Sequence, residues 1–124
     1  MEILSNSNQI DSHDCSFSSP FALQVLGNDM EPEFPDRCII VIDPSDQCGD
    51  GAYVFVEIEG VRWFRQYRET SATGRKWLAA VNTLYPDIEL NGHEYNILGV
   101  IIQRNIRRKI KHYSHFPNKQ LNTK

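Results

Sequence analysis

Between Phe21 and Ile106 the chain is a succession of short apolar runs punctuated by Gly, Pro, Asn and Asp, and no stretch sustains a 3.6-residue period. FALQVLG alternates as a half-buried strand does, and NDMEPEF after it reads as a turn that could open into a short helix near Met30, with Asn28 or Asp29 as its candidate cap. CIIVIDP is a continuous apolar run of strand length that Pro44 stops, the pattern of a buried strand. The turn residues of DQCGDG then lead into AYVFVEIEGVRWFRQY, where Glu59-Gly60 is the predicted hairpin turn. On the return strand Trp63, Arg65 and Tyr67 fall on one face, and Arg62, Phe64 and Gln66 on the other. RETSATGR is a polar hairpin end, KWLAAV a further strand, NTLYPDIEL a loop closing into a short strand, and YNILGVIIQRNI a last apolar strand.

About seven short strands with at most one short helix make the predicted class all-β, a compact sheet assembly folded on itself. The first twenty residues, rich in Ser, Asn and Asp, have no sustained period and read as a flexible arm, 1–20. The domain proper is expected over 21–108, followed by a basic tail, 109–124.

Composition alters this picture in three places. The formal charge of −3 is unevenly spread: Gln103 to Lys124 holds seven of the 13 Lys and Arg residues and none of the 16 acidic ones. An acidic body with a basic tail points to nucleic acid or an acidic protein surface as a partner, through Arg104, Arg107, Arg108, Lys109 and Lys111. The bland alternative is a solvated chain end. Cys15, Cys38 and Cys48 are an odd number without CxxC spacing, so reduced, partly buried thiols are expected rather than disulfides or zinc ligands. His112 and His115 alone lie close together, without a carboxylate or cysteine beside them, so no metal or cofactor is expected. The N-terminus has neither a basic n-region nor an apolar h-segment, and no apolar run is long enough to span a bilayer, so the expected location is the cytoplasm.

In order along the chain, LGNDMEPEF, PDRCIIVIDP, GDGAYVFVEIEG, VRWFRQY, WLAAVNTLYPDIEL and ILGVIIQR resemble the C-terminal domains of LexA, the lambda-type phage repressors and the UmuD polymerase subunit. The family pattern is a G-D-S-M-x-P turn, an apolar strand ending near Asp-Pro, a G-D-hydrophobic strand, a lysine-bearing strand, a leucine strand running into N-x-x-Y-P, and a final G-hydrophobic strand. The resemblance covers Phe21 to Arg107 and implies a Ser/Lys self-cleaving peptidase fold. In that family the serine before Met-x-Pro is the nucleophile and a lysine on a neighbouring strand its general base. Aligned on Gly27, Met30 and Pro32, the serine position is Asp29; aligned on FRQY, the lysine position is Arg65, and a shifted register would place Arg62 there.

The chemistry of these residues is adverse to such a dyad. A Ser/Lys pair works only if the amine is desolvated enough to be neutral near neutral pH. Arginine, with a pKa above about 12, stays protonated. A carboxylate is a poor nucleophile towards an amide. Asp29 and Arg65 could instead form a charge-assisted hydrogen bond linking the turn to the strand; the alternative is that both side chains face solvent. Family members cut themselves at Ala-Gly or Cys-Gly in the preceding arm, whereas Met1 to Pro20 contains no glycine, Cys15-Ser16 being the nearest approach.

Three functions compete. The first, implied by the resemblance, is a non-catalytic dimerisation or regulatory module in transcriptional repression or the DNA-damage response, a homodimer pairing through an exposed strand edge supplied by LGVIIQRNI. It would act without the upstream helix-turn-helix of repressors, or be a fragment. The second is an active self-cleaving or signal-peptidase-like hydrolase using another hydroxyl, from Ser16, Ser18, Ser19 or Ser45. The third is nucleic-acid binding by the basic tail, with Trp63, Tyr67 and Tyr113 as stacking surfaces; ordinary sheet packing is favoured for the first two aromatics.

Overall fold

The computed structural model describes residues 2–5 and 19–117. Nine strands run through them: β1 (Glu2–Ser5), β2 (Phe21–Leu26), β3 (Ile39–Asp43), β4 (Tyr53–Ile58), β5 (Val61–Thr70), β6 (Arg75–Ala79), β7 (Ile88–Glu89), β8 (Tyr95–Ile106) and β9 (Lys109–His112). All pair antiparallel in one sheet of order β1-β2-β3-β8-β4-β5-β6-β7, with β9 also on β8. The predicted all-β class is the observed one.

Local chemistry explains the turns. Between β4 and β5, Glu59 (φ 51°) and Gly60 (φ 86°) are both left-handed, the conformation of the mirror-image two-residue turn whose twist matches the flanking strands. Arg107 (φ 51°) and Arg108 (φ 74°) make the same kind of turn between β8 and β9 without a glycine.

β8 organises the sheet. Its residues 100–105 pair with β3 along one edge. Along the other, residues 95–100 pair with β4 and residues 103–106 with β9. Register shifts at Val41/Ile42 and at Phe55/Val56 mark bulges where this long strand passes its neighbours, sites at which a sheet bends. Gly99 lies between the two bulges: a Cβ there would overlap Ile42 Cγ2 and come within 3.0 Å of the Asp43 carbonyl oxygen.

Bending lets one sheet enclose apolar residues on both faces. One cluster gathers Leu23, Val25, Met30, Phe34, Ile40, Ile42, Phe55, Phe64 and Ile101; the other Val54, Val56, Ile58, Tyr67, Leu78, Leu90 and Val100. Successive residues of β4 and β8 therefore enter opposite clusters, which is why their sequences read as unbroken apolar runs. Complete burial of a side chain such as Phe34 contributes about 1.5–3 kcal/mol.

Three expectations are corrected. Residues 2–5, assigned to the arm, pair with β2; of the rest of the arm, residue 1 and residues 6–18 lie outside the described residues. Residues 109–112, assigned to the tail, are β9. Near Met30, where at most one short helix was expected, there is none: residues 29–33 are consecutive turns, closed by Glu31 N donating to Asn28 O and Phe34 N to Met30 O. Finally, LGVIIQRNI offers no pairing edge, because β8 is hydrogen-bonded along both sides. Among the described residues the free edges belong to β1, β7 and β9.

Candidate functional site

The turn between β2 and β3 is fixed from beneath by two completely buried side chains, Met30 and Phe34. Phe34 meets the ring of Tyr53 edge-on at 4.8 Å, Phe64 edge-on at 4.9 Å, and Tyr113 at 5.2 Å. Gly27 (φ 111°) supplies the left-handed bend that starts the turn, its N–H donating to Asp36 Oδ1 at 2.7 Å. So anchored, the turn directs Asp29 at β5.

Arg65 of β5 donates from Nη1 to Asp29 Oδ2 at 2.8 Å, and the two side chains are only 3% and 2% exposed. The same nitrogen donates to the Phe64 carbonyl at 3.0 Å, whereas the buried Nε has no hydrogen-bond acceptor. The guanidinium lies 5.1 Å from the Trp63 ring centroid and 6.0 Å from that of Tyr85, so aromatic faces complete its surroundings. Arg62, the other register, is exposed and lies 3.8 Å from Glu57. The two sequence-selected residues are thus in direct contact, and it is Arg65 that meets the turn.

The loop after β6 locks the arrangement from the other side. Asn82 N donates to Asp29 O at 3.1 Å, Asn82 Nδ2 to Asn28 O at 3.0 Å, and the Tyr85 hydroxyl to Asn28 Oδ1 at 2.7 Å. Neither Asn82 nor Tyr85 was a predicted site residue, although both lie in the NTLYP segment that carries the resemblance. Chemically the site holds a buried cation and carboxylate in mutual contact. A guanidinium has no lone pair available to take a proton.

The same turn bears a second ionic cluster that the sequence did not reveal. Glu33 Oε2 accepts from the Tyr113 hydroxyl at 2.6 Å, from Lys111 Nζ at 2.8 Å and from Arg104 Nη1 at 3.3 Å, and the Glu33 carbonyl also accepts from Arg104 at 2.6 Å. Partial burial works to raise the Glu33 pKa, but the hydrogen bonds from Lys111 and Tyr113 and the charges of Lys111 and Arg104 outweigh it and hold the carboxyl below 4.5. Burial, and then the bond to Glu33, push the Tyr113 phenol upward.

Of the five basic residues singled out in the tail, two are therefore engaged. Arg107, Arg108 and Lys109 are exposed at the β8–β9 turn, and among the described residues no ion pair holds them.

The remaining candidates lie elsewhere. Ser45 Oγ accepts from Gln47 N at 3.1 Å in an exposed turn, Ser19 is exposed, and Ser16 and Ser18 lie outside the described residues. Trp63 and Tyr67 pack with the second cluster, as ordinary sheet packing requires. Cys38 and Cys48 are free thiols, and burial pushes both up to about 11, which makes them unreactive near neutral pH. Cys15 lies outside the described residues. His115 Nε2 lies 2.7 Å from Asp43 Oδ2, and His93 Nδ1 3.1 Å from Glu59 Oε2. Among the described residues no three His, Cys, Asp or Glu side chains gather as a metal site would need, and no helix is long and apolar enough to cross a membrane.

Residues 3–102 match the family described as Peptidase S24-like. Repressor protein C2 of Salmonella phage P22 is similar, 34% identical over 93 residues, which cover 72% of this chain and 42% of the phage protein. The chain thus spans less than half the length of that relative.

Proposed function

Starting from a chain that belongs to the Peptidase S24-like family, we propose that it is a non-catalytic member, a dimerisation or regulatory interaction module in transcriptional repression or the response to DNA damage. The observation that carries this reading is the buried Asp29–Arg65 pair. At the positions where the family pattern sets a nucleophile beside its base, this chain has a carboxylate beside a permanent cation. Neither supplies an attacking hydroxyl, the guanidinium at the base position accepts no proton, and each is occupied by the other. The regulatory setting is supported by the similarity to a phage repressor.

Incubating the purified protein at alkaline pH, with and without a recombinase filament, and following its intact mass tests this. The mass should remain that of the full chain. A new internal terminus would overturn the reading and favour a hydrolase with another nucleophile.

For self-association, the supporting feature is a row across β3, β8 and β9. Ile39, Asn105 and Ile110 are register partners and so share a face, and Ile39 and Ile110 are 38% and 52% exposed. Two exposed isoleucines flanking Asn105 on one face of the sheet are apolar surface of the kind that association covers. Light scattering at tens of micromolar should give twice the chain mass. A strictly monomeric mass, or a dimer unchanged by Ile110→Lys, would refute association through this face.

A further inference from the structure

We propose that the tip of the β8–β9 hairpin is a phosphate-binding element that holds the backbone of double-stranded DNA through Arg107, Arg108 and Lys109, a second activity independent of whether Asp29 and Arg65 are catalytically silent. The three cations are consecutive and exposed where a tight turn joins β8 to β9, which gathers them at one end of the hairpin. Both arginines are held with positive φ, a backbone state that bulky side chains adopt uncommonly and that Asn and Gly adopt readily. A turn needing only to reverse the chain is better served by Asn-Gly. Two arginines there point to a use for their side chains.

The neighbourhood sharpens the choice of ligand. Arg104 and Lys111, farther along the hairpin, are committed to Glu33, which leaves the three tip residues as the accessible set. Arg37 is 79% exposed and precedes Ile39, the partner of Asn105, so the pairing direction carries it towards the same end of the sheet. Its nearest carboxylate, Asp36, is 3.9 Å away in an exposed position, where such a pair contributes little. No acidic residue occurs from Gln103 to Lys124. A guanidinium fork matches phosphate oxygens in pairs, and a strand of regularly spaced phosphates is a better counterpart for adjacent forks than single carboxylates. The acidic body repels the duplex away from the tip, so contacts are confined to about three phosphates and base sequence is not read.

The test uses the full chain and a 20-base-pair duplex of arbitrary sequence in a fluorescence anisotropy titration. With three phosphates neutralised, log K should fall against log salt with a slope of about −2.7, which is about 40-fold weaker binding between 50 and 200 mM salt. Arg107→Asn with Arg108→Gly removes two charges while supplying the residues this turn geometry prefers, so the hairpin is retained. That variant should bind about tenfold or more weakly, with a slope near −1, and Lys109→Gln added to it should abolish binding. Lys111→Gln should leave the slope unchanged. Three results would overturn the proposal: no binding at low salt, full binding by the triple variant, or tighter binding to polyglutamate than to the duplex, which would make an acidic protein surface the ligand.

Discussion

Replacing Arg65 by methionine should be among the most destabilising single changes in this chain. The perturbation keeps much of the side-chain volume and its contacts with Trp63 and Tyr85 but removes the cation, leaving the Asp29 carboxylate, 2% exposed, without its 2.8 Å partner. Breaking a buried pair from one side costs about 3–5 kcal/mol, because the remaining charge is uncompensated. Domains of this size have about 5–15 kcal/mol in total, so the loss is a large share. At about 4 °C per kcal/mol, the midpoint should fall by roughly 12–20 °C in a calorimetric scan. Asp29→Leu should cost a similar amount by stranding the guanidinium. The double variant, Asp29→Leu with Arg65→Met, removes both charges and should recover most of the loss, since apolar replacement of a buried pair is often neutral or stabilising. The coupling between the two sites should then exceed about 2 kcal/mol. A cost below about 1 kcal/mol for Arg65→Met, or additive effects in the double variant, would refute the reasoning and show that the pair behaves as if solvated.

Glu33→Gln should cost about 1–3 kcal/mol by weakening charge-assisted hydrogen bonds from Lys111, Tyr113 and Arg104. Because the folded-state pKa of Glu33 lies below the unfolded value of 4.5, its contribution is complete above about pH 4.5 and is lost as pH falls through the depressed value. Urea midpoints measured across that acid range should converge for the wild type and Glu33→Gln, and a gap that persisted unchanged would refute the assignment. Gly99→Ala should destabilise by about 1–3 kcal/mol, since its methyl group must displace Ile42 and the Asp43 carbonyl; a denaturation midpoint equal to wild type would show that the bulged strands yield freely.

How far the sequence could be read depended on the range of the interactions. The Glu59-Gly60 turn and the alternation on either side are local, and both were legible. So was the candidate site, because motif order placed Asp29 and Arg65 on elements that the fold brings together across 36 positions. What stayed hidden was pairing with no local signature. EILS is too short and too polar in its surroundings to announce β1, and β9 is wholly exposed, so no apolar face marks it. Glu33 looked like an ordinary charged turn residue because its side-chain partners Arg104, Lys111 and Tyr113 follow 71, 78 and 80 positions later. That the turn near Met30 does not open into a helix has a tertiary reason: burying Met30 and Phe34 while aiming Asp29 at β5 is met by successive turns.

Positions 29 and 65 are consequently not independent for sequence change. A serine introduced at 29 alone leaves the Arg65 guanidinium buried opposite a neutral group, and a neutral residue at 65 alone does the same to the Asp29 carboxylate. Any lineage leaving this pair by single steps must cross a weakened intermediate, unless Lys replaces Arg65 first and keeps the charge. The pair therefore acts as a ratchet on evolution, and the order of substitutions among relatives should bear its mark.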